Sequence, residues 1–239
     1  MKKSRRLGPV LVVAAHPDDE LLGCGGTLAR LIREGREVTL AILGEGVTAR
    51  YKKREQAEET ALVALQVESR AAARVLRAKD VFFYSLPDNR FDTVPLLDVA
   101  KIVEDLVERL RPVTVFTHHQ SDLNVDHGLV HRAVLTATRP VPGQPVQEVY
   151  AFEVPSSTEW GFQRLAPAFR PNVFVDVSKT LDRKLTALAC YKSEMRPFPH
   201  PRSPGALRAL AARWGSVAGF RAAEAFELVR SLCGPGGTA

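Results

Sequence analysis

An imidazole and three carboxylates follow the first apolar run of the chain. Residues 10–15 are all apolar, and residues 16–20 read His-Pro-Asp-Asp-Glu. The run is short and rich in valine, as expected of a strand buried on both faces. Pro17 has no N–H group and disfavours helix at the residue before it, so the strand must end there. The sequence therefore predicts that a buried strand carries these polar groups to its C-terminal end, where open α/β sheets bind ligands.

The chemistry of these groups favours a metal ion. Carboxylates this close repel one another unless a cation neutralises them. Imidazole with carboxylate suits zinc, and fewer than four protein ligands leave a coordination position for water. An acidic turn that caps the next helix would explain Asp18 or Asp19 alone, but not a histidine at the end of the strand.

A second group of the same chemistry lies far down the chain. A strand predicted at 113–117 is followed at 118–127 by His-His-Gln-Ser-Asp-Leu-Asn-Val-Asp-His. Asp126 is placed to cap the helix that comes next. Because this loop also follows a buried strand, we expect both groups to lie at the same edge of the sheet.

Together the two groups resemble the motifs of the PIG-L / LmbE-like deacetylase family, zinc enzymes that remove N-acyl groups, mostly from N-acetylglucosamine-type sugars. The resemblance covers residues up to about 140. It implies that His16, Asp19 and His127 bind Zn²⁺ and that Asp18 is the general base. His131 lies four residues after His127, and this His-x-x-x-His pair is an alternative that competes with Asp19 for the ligand set.

The chain departs from the family pattern at Asn124. Many relatives have a histidine there, three residues before the last ligand, which assists electrostatically at the tetrahedral intermediate. Asparagine can donate a hydrogen bond but cannot carry a positive charge. Either Asn124 is a neutral donor to the oxyanion, or His118 or His119 supplies the charge, or the activity is weak. We favour His118 or His119 because they lie at the strand end.

Three further residues are candidates for binding the substrate. Asp88 lies in a Pro-Asp-Asn turn after the third strand; the resemblance implies that it binds sugar hydroxyls, although a plain turn would also explain it. His200 and Arg202 belong to a proline-rich segment that is either a linker or a lid over the substrate. Asp122 and Asp126 are expected to support the zinc-binding side chains.

Strand and helix patterns alternate through the first part of the chain. The clearest helix is amphipathic, at 95–110. The alternation predicts an α/β fold with a Rossmann-like, mostly parallel sheet flanked by helices. The predicted strands are 10–15, 37–43, 81–85 and 113–117, and the predicted helices are 21–34, 49–78, 95–110 and 127–138.

The remainder is predicted to be a smaller α+β extension. We expect a single domain over 1–239, with a core at 8–140, the extension at 141–232 and a tail at 233–239 that is disordered from Gly234. Strands are predicted in the extension at 149–154, 172–177 and 225–229, and helices at 178–193 and 207–218.

Composition excludes several classes of protein. The net charge is +6, but the basic residues are spread along the chain and no nucleic-acid-binding signature occurs, so we expect no nucleic-acid partner. Three distant cysteines argue against a disulfide framework and favour a reducing compartment. No apolar run is long enough to span a membrane. We expect a cytoplasmic enzyme whose partner is a small N-acetylated amino sugar, and a homo-oligomer is compatible with the sequence.

Other functions remain open at this point. One is a metal-dependent amidohydrolase that acts on a non-sugar amide, and another is a non-enzymatic module that binds a sugar nucleotide. The glycines at 23–26 lack the Lys-Ser/Thr of a P-loop and the spacing of a dinucleotide fingerprint, and the missing fingerprint disfavours a dinucleotide-dependent enzyme. We interpret them as small residues that let the first helix approach the metal loop closely.

Overall fold

A computed structural model describes residues 8–233, and the predicted tail from Gly234 lies outside this range. Helices cover both faces of a seven-stranded sheet in the described part. The strands are β1 (Val10–Ala14), β2 (Val38–Gly44), β3 (Asp80–Leu86), β4 (Thr114–His118), β5 (Glu148–Phe152), β6 (Val173–Asp176) and β7 (Ala223–Ser231). The helices are α1 (Asp19–Arg33), α2 (Glu59–Leu76), α3 (Leu96–Leu110), α4 (Val125–Ala137), α5 (Leu181–Leu188) and α6 (Pro204–Ala218).

The sheet is mostly parallel, which confirms the predicted Rossmann-like fold. Its strand order is β3-β2-β1-β4-β5-β7-β6. Strands β1 to β5 pair in parallel, whereas β7 is antiparallel to both β5 and β6. The C-terminal part of the chain therefore widens the same sheet. The C-terminal ends of β1 and β4 are neighbours, so the loops that follow them lie side by side.

Strand β1 contributes to the core on both faces of the sheet. Val10 and Val12 pack among residues of α1, α2 and α5, whereas Leu11 and Val13 pack among residues of α3 and α4. All four side chains are at most 1% exposed. The unbroken apolar run of β1 thus reflects a central strand covered by helices on both sides.

Several predicted helices differ in their bounds from those observed. The segment predicted as helix at 49–78 begins with two short 3₁₀ turns, and α2 starts only at Glu59, because its first part has no apolar periodicity. The helix predicted at 178–193 is limited to α5, after which the chain turns and buries Tyr191 completely. Helix α4 begins two residues early because Asn124, not Asp126, is its N-cap: the Asn124 side chain accepts a hydrogen bond from the backbone N–H of Asp126.

The glycines of α1 allow close packing, but against the far strands of the sheet and not against the metal loop. A Cβ atom on Gly23 would lie 2.2 Å from Cδ2 of Phe152, and one on Gly26 would lie 3.0 Å from Cγ1 of Val177. Glu224 accepts hydrogen bonds from the backbone N–H groups of Gly26 and Thr27 in the same region. The glycine stretch therefore fixes the position of α1, which carries Asp19.

Gly23→Ala should destabilise the fold by about 1–3 kcal/mol, because the new methyl group must displace the buried Phe152 ring. Gly205→Ala is the matched control, since a Cβ there would meet nothing within 4 Å. Its effect should stay within about 1 kcal/mol, with either sign. Urea unfolding measures both; equal stability of the two variants would contradict the packing described for α1.

Candidate metal centre

His16, Asp19 and His127 come together at the C-terminal ends of β1 and β4. His16 follows β1, Asp19 opens α1, and His127 lies in the first turn of α4. Their candidate ligand atoms lie within 4.8 Å of one another. Asp19 Oδ2 is 3.4 Å from His16 Nδ1 and 3.2 Å from His127 Nε2. The three side chains are buried, with 9% exposure at most.

A left-handed residue makes this convergence possible. Asp18 has φ 96°, which is costly for any residue with a Cβ atom, and it turns the chain from β1 into α1. The N–H of Asp18 donates to Glu20 Oε2 at 3.1 Å, and the N–H of His16 donates to Asp19 Oδ2 at 2.9 Å. Glu20 in turn accepts from the Tyr191 hydroxyl at 2.6 Å. The carboxylates of the motif thus stabilise the turn that presents them.

The outer nitrogens of the two histidines face carboxylates. His16 Nε2 lies 2.9 Å from Asp126 Oδ2, and His127 Nδ1 lies 3.1 Å from Asp122 Oδ1. Neither nitrogen of His127 makes a well-aligned hydrogen bond within residues 8–233, although both are buried. Metal-binding histidines characteristically direct the second nitrogen at a carboxylate, so His127 Nε2 is left for a metal. The donor set therefore fits a divalent ion.

A second combination, His16 with Asp88 and Asp126, is also close enough to hold an ion. Asp126, however, already accepts hydrogen bonds from the backbone N–H groups of Asn89 and Phe91 as well as facing His16. Asp88 accepts from the backbone N–H of Ala49 at 3.0 Å. Because these carboxylates are largely satisfied, the set with His127 is the better metal site.

Charge in the cluster alters the pKa values of its members. Burial alone would lower the pKa of His16, but Asp126 and Asp19 raise it to about 10. Burial would also lower the pKa of His127, but Asp19 and Asp122 raise it to about 9. Burial would raise the pKa of the Asp19 carboxyl group, but His127 holds it well below its usual range. The carboxylates thus favour positive charge on the imidazoles of His16 and His127.

A cavity of about 240 Å³ opens onto this cluster. Arg202 reaches it from the proline-rich segment: its Nη1 donates to Asp18 Oδ2 at 2.7 Å and its Nε donates to Ser156 Oγ at 2.8 Å. Arg50 lines the cavity as well and forms an ion pair with Glu194 at 2.5 Å. Arg50 and Glu194 were missed from the sequence because neither belongs to a motif or neighbours a candidate residue. The predicted residues Asp18, Asp88 and Asn124 also line this cavity.

The two histidines at the end of β4 do not line the cavity. His118 Nε2 accepts a hydrogen bond from the backbone N–H of Ala15 at 2.8 Å, and its ring stacks on the ring of His127. Burial lowers the pKa of His118 well below its usual range. His119 turns the other way and lies 3.4 Å from Glu227. The expectation that either one supplies the missing charge is therefore wrong on geometry.

His131, the alternative ligand, and His200, the other residue of the predicted lid, also lie outside the cavity lining. His131 Nδ1 is 2.8 Å from the carbonyl oxygen of His118, so the His-x-x-x-His pair does not form a metal site. His200 packs edge-on against Trp160, with ring centroids 5.6 Å apart, and is not part of the cavity wall.

This sheet, with a His/Asp group at its C-terminal edge, defines a Rossmann-like protein with a candidate metal centre. The family model "PIG-L: GlcNAc-PI de-N-acetylase" matches residues 11–138, more than half of the chain. The chain belongs to the PIG-L family, which confirms the resemblance carried by the two motifs.

Individual relatives cover most of the chain. A "Probable N-acetyl-alpha-D-glucosaminyl L-malate deacetylase 2" of Bacillus cereus is 28% identical over 188 residues, 77% of this chain and 83% of that protein. The 4-oxalmesaconate hydratase of Pseudomonas putida is 32% identical over 198 residues, 75% of this chain and 71% of that protein. The crystal structure of a conserved protein from Thermus thermophilus is 27% identical, with a TM-score of 0.73 and coverage of 97% of this chain and 100% of that one. Within residues 8–233, no helix is long and apolar enough to cross a membrane.

Metal binding at neutral pH should release about two protons per ion, because His16 and His127, with pKa values of about 10 and about 9, are both protonated in the metal-free cluster. Affinity should consequently fall as the pH falls. Zinc titrations by calorimetry in buffers of different ionisation enthalpy measure the proton count. His127→Gln should lower the count and the affinity, whereas His200→Gln should change neither; zinc binding without proton release would contradict this account.

Proposed function

We propose that the protein is a zinc-dependent deacetylase that removes the acetyl group from an N-acetylglucosamine-type sugar or sugar conjugate. The observation that carries the proposal is the buried His16, Asp19 and His127 group with Asp18 beside it in one cavity. Two imidazoles and one carboxylate suit zinc and leave room for a water molecule. Membership of the PIG-L family and the deacetylase relative of Bacillus cereus support the same reaction.

His16 Nδ1, Asp19 Oδ2 and His127 Nε2 would hold the ion. When bound, zinc would lower the pKa of a water molecule to about 7 and polarise the acetyl carbonyl group. Asp18 is the proposed general base: it accepts a proton from the attacking water and passes it to the leaving amine, so that the C–N bond breaks and acetate and a free amino sugar form.

Two donors are available for the oxyanion. The Oδ1 atom of Asn124 is used in capping α4, so its Nδ2 group is the one left to donate into the cavity. Arg202 is the candidate for the positive charge that asparagine lacks, because its guanidinium group lies against Asp18. Asp88, on the cavity wall, is proposed to accept hydrogen bonds from sugar hydroxyls.

A hydratase is the second candidate function. The relative from Pseudomonas putida is a hydratase, and the cavity contains Arg50 and Arg202, which suit substrate carboxylates. Incubating zinc-loaded protein with N-acetylglucosamine conjugates, simple amides and an unsaturated dicarboxylate separates the candidates. Acetate release from the sugars alone supports the proposal, whereas hydration of the dicarboxylate without acetate release would replace it.

Asp18→Asn should reduce kcat by at least about a hundredfold, because the amide cannot accept the proton, while zinc content stays near the wild-type value. Acetate release and metal analysis on the same preparation measure both quantities. Asp92→Asn, a change of the same chemistry outside the cavity lining, serves as the control. Parallel loss of zinc and activity in Asp18→Asn would contradict the separate roles of base and ligand.

Arg202→Gln should lower kcat about ten- to a hundredfold with little change in KM. The reason is that the charged hydrogen bond proposed between Arg202 and the oxyanion, worth about 1.5–3 kcal/mol in the transition state, is lost. Arg208→Gln is the matched control, since Arg208 lies on α6 in an exposed pair with Asp182. A rise in KM alone would instead support the role in substrate binding that the sequence suggested for Arg202.

A further inference from the structure

The hydrogen-bond ladder between β1 and β4 ends before the strands do. Its last paired residues are Val12 and Phe116, although β1 continues to Ala14 and β4 to His118. On its other side β4 stays paired with β5 as far as His118 and Phe152. The strand order reverses between β1 and β4, which is the point where open α/β sheets have their binding crevice. The metal cluster lies at the ends of these two strands, where their pairing has stopped.

The side chain of His118 bridges the ends of the two strands. In a paired ladder a backbone carbonyl oxygen of one strand accepts from an N–H group of its neighbour. Here the N–H of Ala15, which directly follows β1, donates to Nε2 of His118 at 2.8 Å instead. The same Nε2 atom lies 3.7 Å from Asp19 Oδ2. An imidazole on β4 is therefore bonded to the loop that carries the first metal-binding motif.

The ring of His118 also contacts the second motif. It stacks on His127 with ring centroids 3.9 Å apart and an angle of 23° between the planes. Phe152 lies 4.9 Å from the His118 ring at an angle of 60°. His118 is fully buried in this close packing, so its ring has no free space into which to turn.

Folding stability alone does not account for a histidine at this position. Because Nε2 accepts from Ala15, the proton of the neutral ring is on Nδ1, and within residues 8–233 no acceptor engages this buried group. Phenylalanine would leave the N–H of Ala15 without an acceptor, whereas histidine leaves its own Nδ1–H group without one. Either residue therefore has one unsatisfied buried donor, which is costly. What histidine adds is the bond across the gap between the strands.

We propose that His118 is a positioning residue of the metal centre, which sets the separation of the two motifs. Its bond to Ala15 fixes the loop with His16 and Asp19, and its stacked ring fixes His127. The three metal-binding side chains are thereby held at the spacing of one ion before the ion binds, so binding does not have to order them. The inference rests on the metal centre of the proposed function but not on the identity of the substrate.

Calorimetric titration of two variants with zinc tests the inference. His118→Gln removes the stacked ring but keeps an oxygen that can accept from Ala15, whereas His118→Phe keeps a ring but removes the acceptor. Each variant should bind one zinc ion per chain with an affinity lowered about ten- to a hundredfold, the usual effect of losing a group that orients a metal ligand. Urea unfolding of the metal-free proteins shows whether each variant is folded, and one folded variant is enough for the test.

His119→Gln is the matched control. His119 is the next residue and is also buried, and its Nδ1 likewise accepts from a backbone N–H group, that of Ser121 at 3.2 Å, but its ring faces Glu227. The same substitution there should leave the zinc affinity unchanged even if it lowers the stability. The visible absorption of bound Co²⁺ depends on the positions of its ligands, so it should change in the His118 variants and not in the control. A residue that only stabilised the fold would not change this spectrum.

Wild-type zinc affinity in either folded His118 variant would overturn the inference, since each variant lacks one of the two contacts. An equal loss of affinity in His119→Gln would overturn it as well. If the wild-type protein binds no zinc, the inference and the proposed function fail together. If zinc binding depends on His118 but no N-acetyl sugar releases acetate, the deacetylase proposal fails and the role of His118 stands. If acetate is released but the His118 variants bind zinc normally, the role of His118 fails and the deacetylase proposal stands.

Discussion

The structure depends on a concentration of buried charge at the C-terminal ends of β1 and β4. Asp19, Asp122 and Asp126 surround the imidazoles of His16 and His127, and all five side chains are buried. Charged groups removed from water are costly unless paired. Each imidazole here lies between the carboxylate of Asp19 and a second carboxylate, Asp126 for His16 and Asp122 for His127. A divalent ion held by His16, Asp19 and His127 would supply positive charge among these carboxylates.

The rest of the fold holds this cluster rigid. The glycine face of α1 packs directly on Phe152, which sets the helix that carries Asp19. Tyr191, from the C-terminal part of the chain, supports Glu20 and through it the left-handed turn at Asp18. Arg202 comes from the same part and pairs with Asp18. The extension therefore widens the sheet and also supplies residues that organise the motif near the N-terminus.

The sequence was informative where local chemistry and topology act together. The apolar run of β1, its termination at Pro17 and the alternation of strands and helices predicted the Rossmann-like sheet, and the two polar loops predicted where side chains would meet. The directions of the side chains were not predictable. His118 and His119 are consecutive residues at the end of β4, but successive residues of a strand point to opposite sides. The ring of His118 therefore stacks on His127, whereas His119 faces Glu227. Arg50 and Glu194 reach the cavity from segments without motifs, so only the tertiary structure identifies them. Asn124 both caps α4 and lines the cavity, and the sequence pattern alone does not show that it does both.

The most direct test of the account is the position of the ion itself. Crystals grown with zinc and measured at the zinc absorption edge should give one anomalous peak per chain, bounded by His16 Nδ1, Asp19 Oδ2 and His127 Nε2. A peak bounded instead by His16 Nε2, Asp88 and Asp126, or no peak at this edge of the sheet, would contradict the central claim.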